Sequence, residues 1–260
     1  LQATDYSHSD YQPQKTADTL QTKESGYVEW DVDVKAPGLY HIRLEYLATS
    51  GKSSSIIRSV KIDGELPFED ARSVEFNRIW VDKRDAQGNT IQEAPNGNQI
   101  RPEQEEIQQW QSAYIRDSVG YYTDPFQFYF SQGRHTIRLE AVREPMEIKT
   151  ITLCQMEQPP AYEEAKKQFK TDSVPQVEPI KLQGEHADYK SDPMLVPIYD
   201  RSNASMDPSD PMKLKLNCIG STQWQMNGQT ISWKFRVAEN GLYNIHFRGI
   251  QNAKNGSVSS

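Results

Sequence analysis

Val28-Glu29-Trp30-Asp31-Val32-Asp33-Val34, then Lys35-Ala36-Pro37, then Gly38-Leu39-Tyr40-His41-Ile42-Arg43-Leu44-Glu45-Tyr46, is the stretch whose reading decides the fold. Val28, Trp30, Val32 and Val34 alternate with acidic residues, which places them on one face of a strand. In the turn Ala36-Pro37-Gly38, proline presets φ and glycine accepts a positive one. The return strand sets Tyr40, Ile42, Leu44 and Tyr46 on one face and His41, Arg43 and Glu45 on the other. The pattern predicts an antiparallel hairpin with one buried face.

The same pattern recurs 203 residues later, as Ile231-Ser232-Trp233-Lys234-Phe235-Arg236-Val237, a turn, and Gly241-Leu242-Tyr243-Asn244-Ile245. Trp30, Val34, Gly38, Leu39, Tyr40 and Ile42 return as Trp233, Val237, Gly241, Leu242, Tyr243 and Ile245. Val28, Val32 and Leu44 return as Ile231, Phe235 and Phe247, apolar for apolar. Two copies in one chain imply two domains of one fold.

Outward from the first copy, Val60-Lys61-Ile62-Asp63-Gly64 reads as a strand ending in a turn. Phe126-Gln127-Phe128-Tyr129-Phe130 alternates aromatics inward, 135–142 alternates Ile137, Leu139 and Ala141 with charges, and 148–153 closes the unit. Many short strands between turn signals indicate a sandwich or barrel. The expected organisation is a complete antiparallel β-sandwich over 1–157, a short helix and linker over 158–179, and the N-terminal part of a second sandwich over 180–260. Within the linker, 161–169 has helical spacing of Tyr162, Ala165 and Phe169, and 171–179 is polar and contains proline. The first unit uses about 127 residues from Val28 to Cys154, whereas 30 follow Ile231 inclusive, so the second copy is expected to be cut short, with open edges that favour edge-strand self-association.

Composition narrows the function. Of 260 residues, 29 are basic and 36 acidic, a net charge of -7 with no basic stripe, so no nucleic acid partner is expected. Aromatics make up 10%, which argues against disorder. No stretch approaches the ~20 apolar residues of a membrane span. Cys154 and Cys218 each sit in an apolar-alternating segment; two buried free thiols are the simpler reading, and a bridge between them stays open. There is no Gly-x-Ser-x-Gly, no His-Glu-x-x-His and no glycine-rich phosphate loop. His41 and His246, on polar strand faces, read as solvated surface. A glycosidase needs only two carboxylates at suitable separation, so hydrolysis stays as a third reading behind the two given below.

The stretch 72–124 is the largest irregular region expected, and it concentrates the binding candidates. Trp80, Trp110, Tyr114, Tyr121 and Tyr122 offer flat faces for the C–H side of a sugar ring. Arg101, Arg116 and Asp117 offer groups that orient its hydroxyls. The plainer reading of the same aromatics is that they pin the loop to the sandwich. Trp30 and Trp233, which alternate with Val and Phe, belong to cores. The acidic loop Asp200 to Asn203, with Asp207 and Asp210, lacks the spacing of a calcium loop and reads as a solvated turn, as does Glu103-Gln104-Glu105-Glu106 as a solvated face.

Taken together, Gly-Tyr-Val-Glu-Trp (26–30), Ala-Pro-Gly-Leu-Tyr (36–40), Ile-Asp-Gly-Glu-Leu-Pro-Phe (62–68), Arg-Asp-Ser-Val-Gly-Tyr-Tyr (116–122) and Val-Arg-Glu-Pro-Met (142–146) resemble the N-terminal region of large extracellular solute-binding proteins of sugar ABC transporters in Gram-positive bacteria. That region is similar to carbohydrate-binding modules of the galactose-binding-like kind. The resemblance implies an all-β jelly-roll sandwich and a non-catalytic, carbohydrate-binding role. It further implies an extracellular, cell-surface location on a lipid-anchored parent chain, whose remaining solute-binding lobes would be partners. It also implies a structural calcium, for which Glu185 of Gln183-Gly184-Glu185 is the candidate metal residue. Ala3-Thr4-Asp5-Tyr6 of the first copy departs from that pattern. The competing reading is a structural or protein-interaction sandwich that docks onto transporter lobes or another surface partner.

Overall fold

The structure, a computed structural model, describes residues 1–155, 159–168, 178–203, 205–226 and 228–250. Alternation along the deciding stretch is realised as two long strands, Gly26–Val34 (β4) and Gly38–Ala48 (β5). They lie in different sheets. One sheet runs β1 (His8–Ser9), β4, β14 (Gly133–Arg143), β6 (Ile56–Ile62), β7 (Val74–Phe76). The other runs β12 (Trp110–Tyr114), β5, β15 (Met146–Cys154), β3 (Leu20–Thr22), β2 (Gln14–Lys15), with β13 (Phe128–Phe130) also paired to β5. All pairings are antiparallel. The chain crosses between sheets from β3 to β4, β4 to β5, β5 to β6 and β14 to β15, the winding of a jelly-roll sandwich.

The expected hairpin is therefore an arch. Period-two burial states which face of a strand is covered, not which strand lies beside it. Here Lys35-Ala36-Pro37 carries the chain across the core, so β4 and β5 meet face to face. Gly38 does not take a positive φ; that role falls to Asp63 (φ 52°) and Gly64 (φ 82°) in the turn after β6. The facing side chains close the core: Val28, Trp30, Val34, Ile137 and Leu139 from one sheet, Ile42, Leu44, Tyr46, Phe128, Phe130, Ile148 and Ile151 from the other. Trp30 is fully buried and its indole N–H donates to the Ala3 carbonyl at 2.8 Å, which ties the N-terminus beneath the sheet. Burial of such a ring contributes about 3 kcal/mol.

Two of the buried polar side chains in this sandwich, Arg58 and His41, are tied to backbone carbonyls. Arg58 donates to the carbonyls of Ile57 (2.9 Å) and Arg143 (3.0 Å) and to Thr22 Oγ1 (3.1 Å). Burial lowers its pKa to about 10. His41 is buried rather than solvated: its Nδ1 lies 3.1 Å from the Phe126 carbonyl and its ring meets Tyr114 edge-on at 6.0 Å.

The stretch 72–124 is largely irregular, as expected, but short strands run through it. Ile79–Asp82 (β8) pairs with Gln104–Ile107 (β11), and Gln92–Glu93 (β9) forms a small hairpin with Gln99–Ile100 (β10). β9 and β11 are short and largely polar, and β8 is a four-residue run whose first three residues are apolar without alternation, so no period-two pattern announces them. The later segment docks on this ribbon. Tyr189–Lys190 (β16) pairs with β8 through Lys190 opposite Trp80, and with Ile231–Ser232 (β19). The Gln99 N–H donates to the Leu214 carbonyl at 2.9 Å, and Leu214 N–H donates to Asn98 Oδ1 at 2.8 Å. Pro197–Ile198 (β17) pairs with Cys218–Ile219 (β18). A single short helix turn, Tyr162–Lys167 (α1), occupies the expected helical stretch; Phe169, Gln158 and 171–177 of the expected linker lie outside the described residues. Cys154 and Cys218 are free and half-buried, and burial raises the Cys218 thiol to about 11.

In the later segment, strand structure covers only Ile231–Ser232 of the repeated motif, and Phe235, Val237, Tyr243, Ile245 and Phe247 are exposed. Yet three local contacts of the first copy recur. The Asp5 N–H donates to the Gln2 carbonyl at 3.1 Å, and His186 N–H to the Gln183 carbonyl at 3.1 Å. The Trp30 indole reaches Ala3 at 2.8 Å, the Trp233 indole Gly184 at 3.2 Å. The Tyr40 hydroxyl reaches the Ala36 carbonyl at 2.8 Å, the Tyr243 hydroxyl that of Glu239 at 2.7 Å.

One turn of this sandwich is pH-sensitive. The Asp63 carboxylate, 2.7 Å from His135 Nδ1, raises the histidine above its ordinary 6.5. A raised folded-state value stabilises the fold fully below the unfolded pKa, and the contribution disappears as pH rises through the folded value. His135 is expected to titrate above 6.5 by NMR. Asp63→Asn, which keeps the acceptor for the Thr136 N–H, should return it to the ordinary range. A wild-type His135 titrating at or below that range contradicts the assignment.

Candidate functional site

A cleft of about 360 Å³ opens where the later segment leans on the first sandwich. That is within the size range of small-ligand sites. Its floor is a buried clamp. Arg78 donates to the Ser54 carbonyl (2.7 Å), the Thr49 carbonyl (3.0 Å) and Glu144 Oε2 (3.0 Å), and also pairs with Glu106. Glu144 in turn accepts from the Lys52 N–H at 2.9 Å and from Ser54 Oγ at 2.7 Å. Burial would raise the Glu144 carboxyl, but Ser54, Lys52 and Arg78 outweigh it and hold it low. The clamp fixes the loop that presents Ser53, Ser54 and Ser55 to the cleft. Glu106, expected as solvated surface, is thus half-buried structure.

One wall is Trp80 on β8. The other is Arg116 and Asp117, just beyond β12. The Asp117 carboxylate accepts backbone N–H groups of Val119 (2.7 Å), Gly120 (3.0 Å) and Tyr122 (2.9 Å), as well as that of Tyr121. Burial opposes ionisation, yet these amides hold the carboxyl below the usual range. The chain supplies a third side from far away: Ser191, Asp192, Met226, Gly228 and Gln229. Gln229 Nε2 donates to Asp192 Oδ2 at 2.8 Å, and Asn77 Nδ2 donates to the Gly228 carbonyl at 3.1 Å.

Three of the sequence candidates, Trp80, Arg116 and Asp117, therefore share the cleft. The others lie elsewhere. Arg101 is exposed ahead of β11. Trp110 and Tyr114 sit at alternate positions of β12, an edge strand, with Lys149 Nζ 5.9 Å from the Trp110 ring and Arg43 5.9 Å from Tyr114. Tyr121 and Tyr122, 80% and 58% exposed, ride on the loop gathered by Asp117. Trp110 is 38% exposed, so a packing role for all the aromatics does not hold. Sequence reasoning did not reach Asn77, Asp192, Met226 or Gln229, because only tertiary docking joins 77–80 to 191–229.

Beside the backbone and side-chain hydrogen bonds across this joint, the docking contains a buried ion pair. Lys190, 1% exposed, pairs with Asp82, which also accepts from Gln104 Nε2 at 2.6 Å. Burial lowers the Lys190 pKa, with Asp82 opposing.

A second cavity of about 440 Å³, lined among others by Arg84, Asn89, Gln99, His186 and Asp188, contains Glu185. The Glu185 side chain is buried, its Oε2 has no hydrogen-bond partner, and burial raises its pKa. An orphaned carboxylate oxygen is what a cation would satisfy. Calcium takes six to eight oxygens, and among the described residues no cluster of three or more His, Cys, Asp or Glu stands together, so backbone carbonyls and water would supply most of its ligands.

Removing Asp82 tests the docking. Asp82→Ala leaves a buried ammonium unpaired and is expected to cost about 3–5 kcal/mol. Adding Lys190→Met should restore most of that, a strongly non-additive cycle in denaturant unfolding. Additive losses contradict a buried, coupled pair.

No family model and no curated protein matches the chain. Among solved structures it is similar to a family 35 carbohydrate binding module from an environmental isolate, with 11% identity over 58% of this chain and 87% of that one and a TM-score of 0.35. It is also similar to Xyl-CBM35 in complex with a glucuronic acid containing disaccharide (14% identity, 58% of this chain and 86% of that one, TM-score 0.35). A third is the mannan binding module from Man5C in its bound conformation (15% identity, 59% and 94%, TM-score 0.29). These likenesses are too distant to give the chain a family.

Proposed function

We propose that this chain binds carbohydrate without chemically altering it, with the ligand in the cleft between the first sandwich and the later segment. The observation that carries the reading is the composition of that cleft. One indole face, Trp80, stands among Arg116, Ser54, Asn77, Asp192 and Gln229, a lining suited to a ring with an apolar face and a hydroxyl rim. The Asp117 carboxylate, held ionised by backbone amides, is a positioning group rather than a proton donor.

The wider setting belongs to the same proposal and rests on the sequence resemblance: a solute-binding protein of a sugar ABC transporter, outside the cell, on a lipid-anchored parent. So does the second copy. The three matched contacts in 1–40 and 182–243 support a later segment that starts a second unit of the same design. An interaction role, docking onto transporter lobes or another surface partner, is the alternative.

Titration of an oligosaccharide panel tests the binding reading. Trp80→Ala is expected to weaken the best ligand about tenfold or more, with the fold intact by circular dichroism. Trp110→Ala should leave it near wild type. The reverse pattern places the ligand on the edge strand, and no binding across the panel contradicts the proposal. For Glu185, calcium should raise the unfolding temperature of the wild type and not of Glu185→Gln; equal responses contradict a calcium there.

A further inference from the structure

We propose that Ser131 is an activated nucleophile that takes the acyl group of small esters, with His135 as its base and Asp63 behind the histidine. This activity is independent of the proposed carbohydrate cleft, which none of the three residues lines. Ser131 Oγ lies 3.1 Å from His135 Nε2, and His135 Nδ1 lies 2.7 Å from Asp63 Oδ2. A nucleophile within hydrogen-bond reach of a base, and that base within reach of a group that orients it, is the arrangement nucleophilic acyl transfer requires. Nothing in the sequence joins position 63 to 131 and 135; the pairing of β14 with β6, which sets Ile137 opposite Ile62, brings them together.

Local structure fixes each member. Asp63 follows β6 at a φ of 52°. Its N–H donates to the Thr136 carbonyl at 3.0 Å, and its Oδ1 accepts the Thr136 N–H at 2.8 Å. Those two bonds leave Oδ2 for His135. The His135 ring stands edge-on to buried Phe130 at 5.4 Å, and its side chain is only 13% exposed. Ser131 is exposed, in the turn between β13 and β14. Nothing lies within 4 Å of where a Cβ would stand on Gly64 or on Gly133, so the surface beside the serine has room for a small ester.

With Asp63 accepting from Nδ1–H, the Nε2 lone pair of the neutral ring faces the serine hydroxyl. Ser131 Oγ bonds to the acyl carbon of the ester while its proton passes to Nε2. The bond from that carbon to the alcohol oxygen then breaks, and the alcohol leaves with the proton. Water repeats the sequence on the acyl-serine and releases the carboxylic acid. The imidazolium formed in between has two acceptors, Asp63 Oδ2 and the Ser131 carbonyl, 3.0 Å from Nε2. Hydrogen bonds to Asp63 and to that carbonyl both raise the His135 pKa, the sign expected of groups that stabilise an imidazolium. An open surface selects by reactivity instead of by fit, so small activated esters are the substrates.

The test treats the whole chain with p-nitrophenyl acetate and reads both p-nitrophenol release and, by mass spectrometry, the residue acetylated. Ser131 is expected to acetylate about a hundredfold faster than the other exposed serines. Ser131→Ala, a change at an exposed turn, should remove the fast phase of release and leave the unfolding transition in place. Asp63→Asn keeps an acceptor for the Thr136 N–H but turns an amide N–H toward Nδ1. His135 then carries its proton on Nε2, visible in its ring-nitrogen NMR shifts, and acetylation of Ser131 should fall about a hundredfold with the fold intact. Acetyl groups found only on lysines and the N-terminus, or spread evenly over the exposed serines, overturn the inference and leave the three residues as a staple of the turn. Unchanged acetylation of Ser131 in Asp63→Asn overturns it as well.

Discussion

Everything that makes the cleft depends on Lys190 and Asp82 staying together out of water. A lysine ammonium at that depth is tolerated only with an opposite charge and with the remaining acceptor capacity of that charge filled. Asp82 supplies the first, and Gln104 from the neighbouring strand adds a second donor to the same Asp82 oxygen, Oδ1. Because Lys190 lies opposite Trp80 in the pairing of β16 with β8, the same contact that docks the later segment also sets the position of the indole. The Arg78–Glu144 clamp performs the matching task below, holding the serine loop at a depth where neither charge could remain alone. The site is therefore an assembly of two distant parts of the chain, with a buried charge pair in each supporting wall.

The core itself was open to sequence reading. Trp30 among Val28, Val32 and Val34, and Ile42 among Tyr40 and Leu44, announce their buried faces, and the structure covers them as the alternation requires. The same signal cannot separate a hairpin from an arch, since both bury one face of each strand; only the partners of β4 and β5 decide it. The ribbon of β8 to β11 escaped for the opposite reason. Gln104-Glu105-Glu106 carries no apolar stripe, and its order comes from Arg78 and from pairing with Trp80's strand. Half of the candidate site was legible because aromatics and charges cluster at 80 and 116–117. The other half, Asp192 to Gln229, consists of ordinary polar residues that matter only through where docking puts them.

The division of the aromatics carries the functional sense of the molecule. Trp80 lines a walled cleft with arginine and amide groups beside it, the setting on which the proposed binding reading rests. Trp110 and Tyr114 lie on an edge strand with basic neighbours, and Tyr121 and Tyr122 stand on a loop that Asp117 gathers by its backbone. Those rings stand apart from the cleft that the proposal gives to the ligand. Binding of this kind needs no titrating acid, in keeping with an Asp117 carboxyl held low and a Glu144 carboxyl sealed in its clamp.

The most direct test of a cleft shared by two parts of the chain is a chemical-shift titration with the tightest oligosaccharide of the panel. The account predicts that the Trp80 indole, the Arg116 side chain and the Gly228 and Gln229 amides shift together along one binding curve. Shifts confined to Trp110, Tyr114, Tyr121 and Tyr122, with Gly228 and Gln229 unmoved, would contradict it.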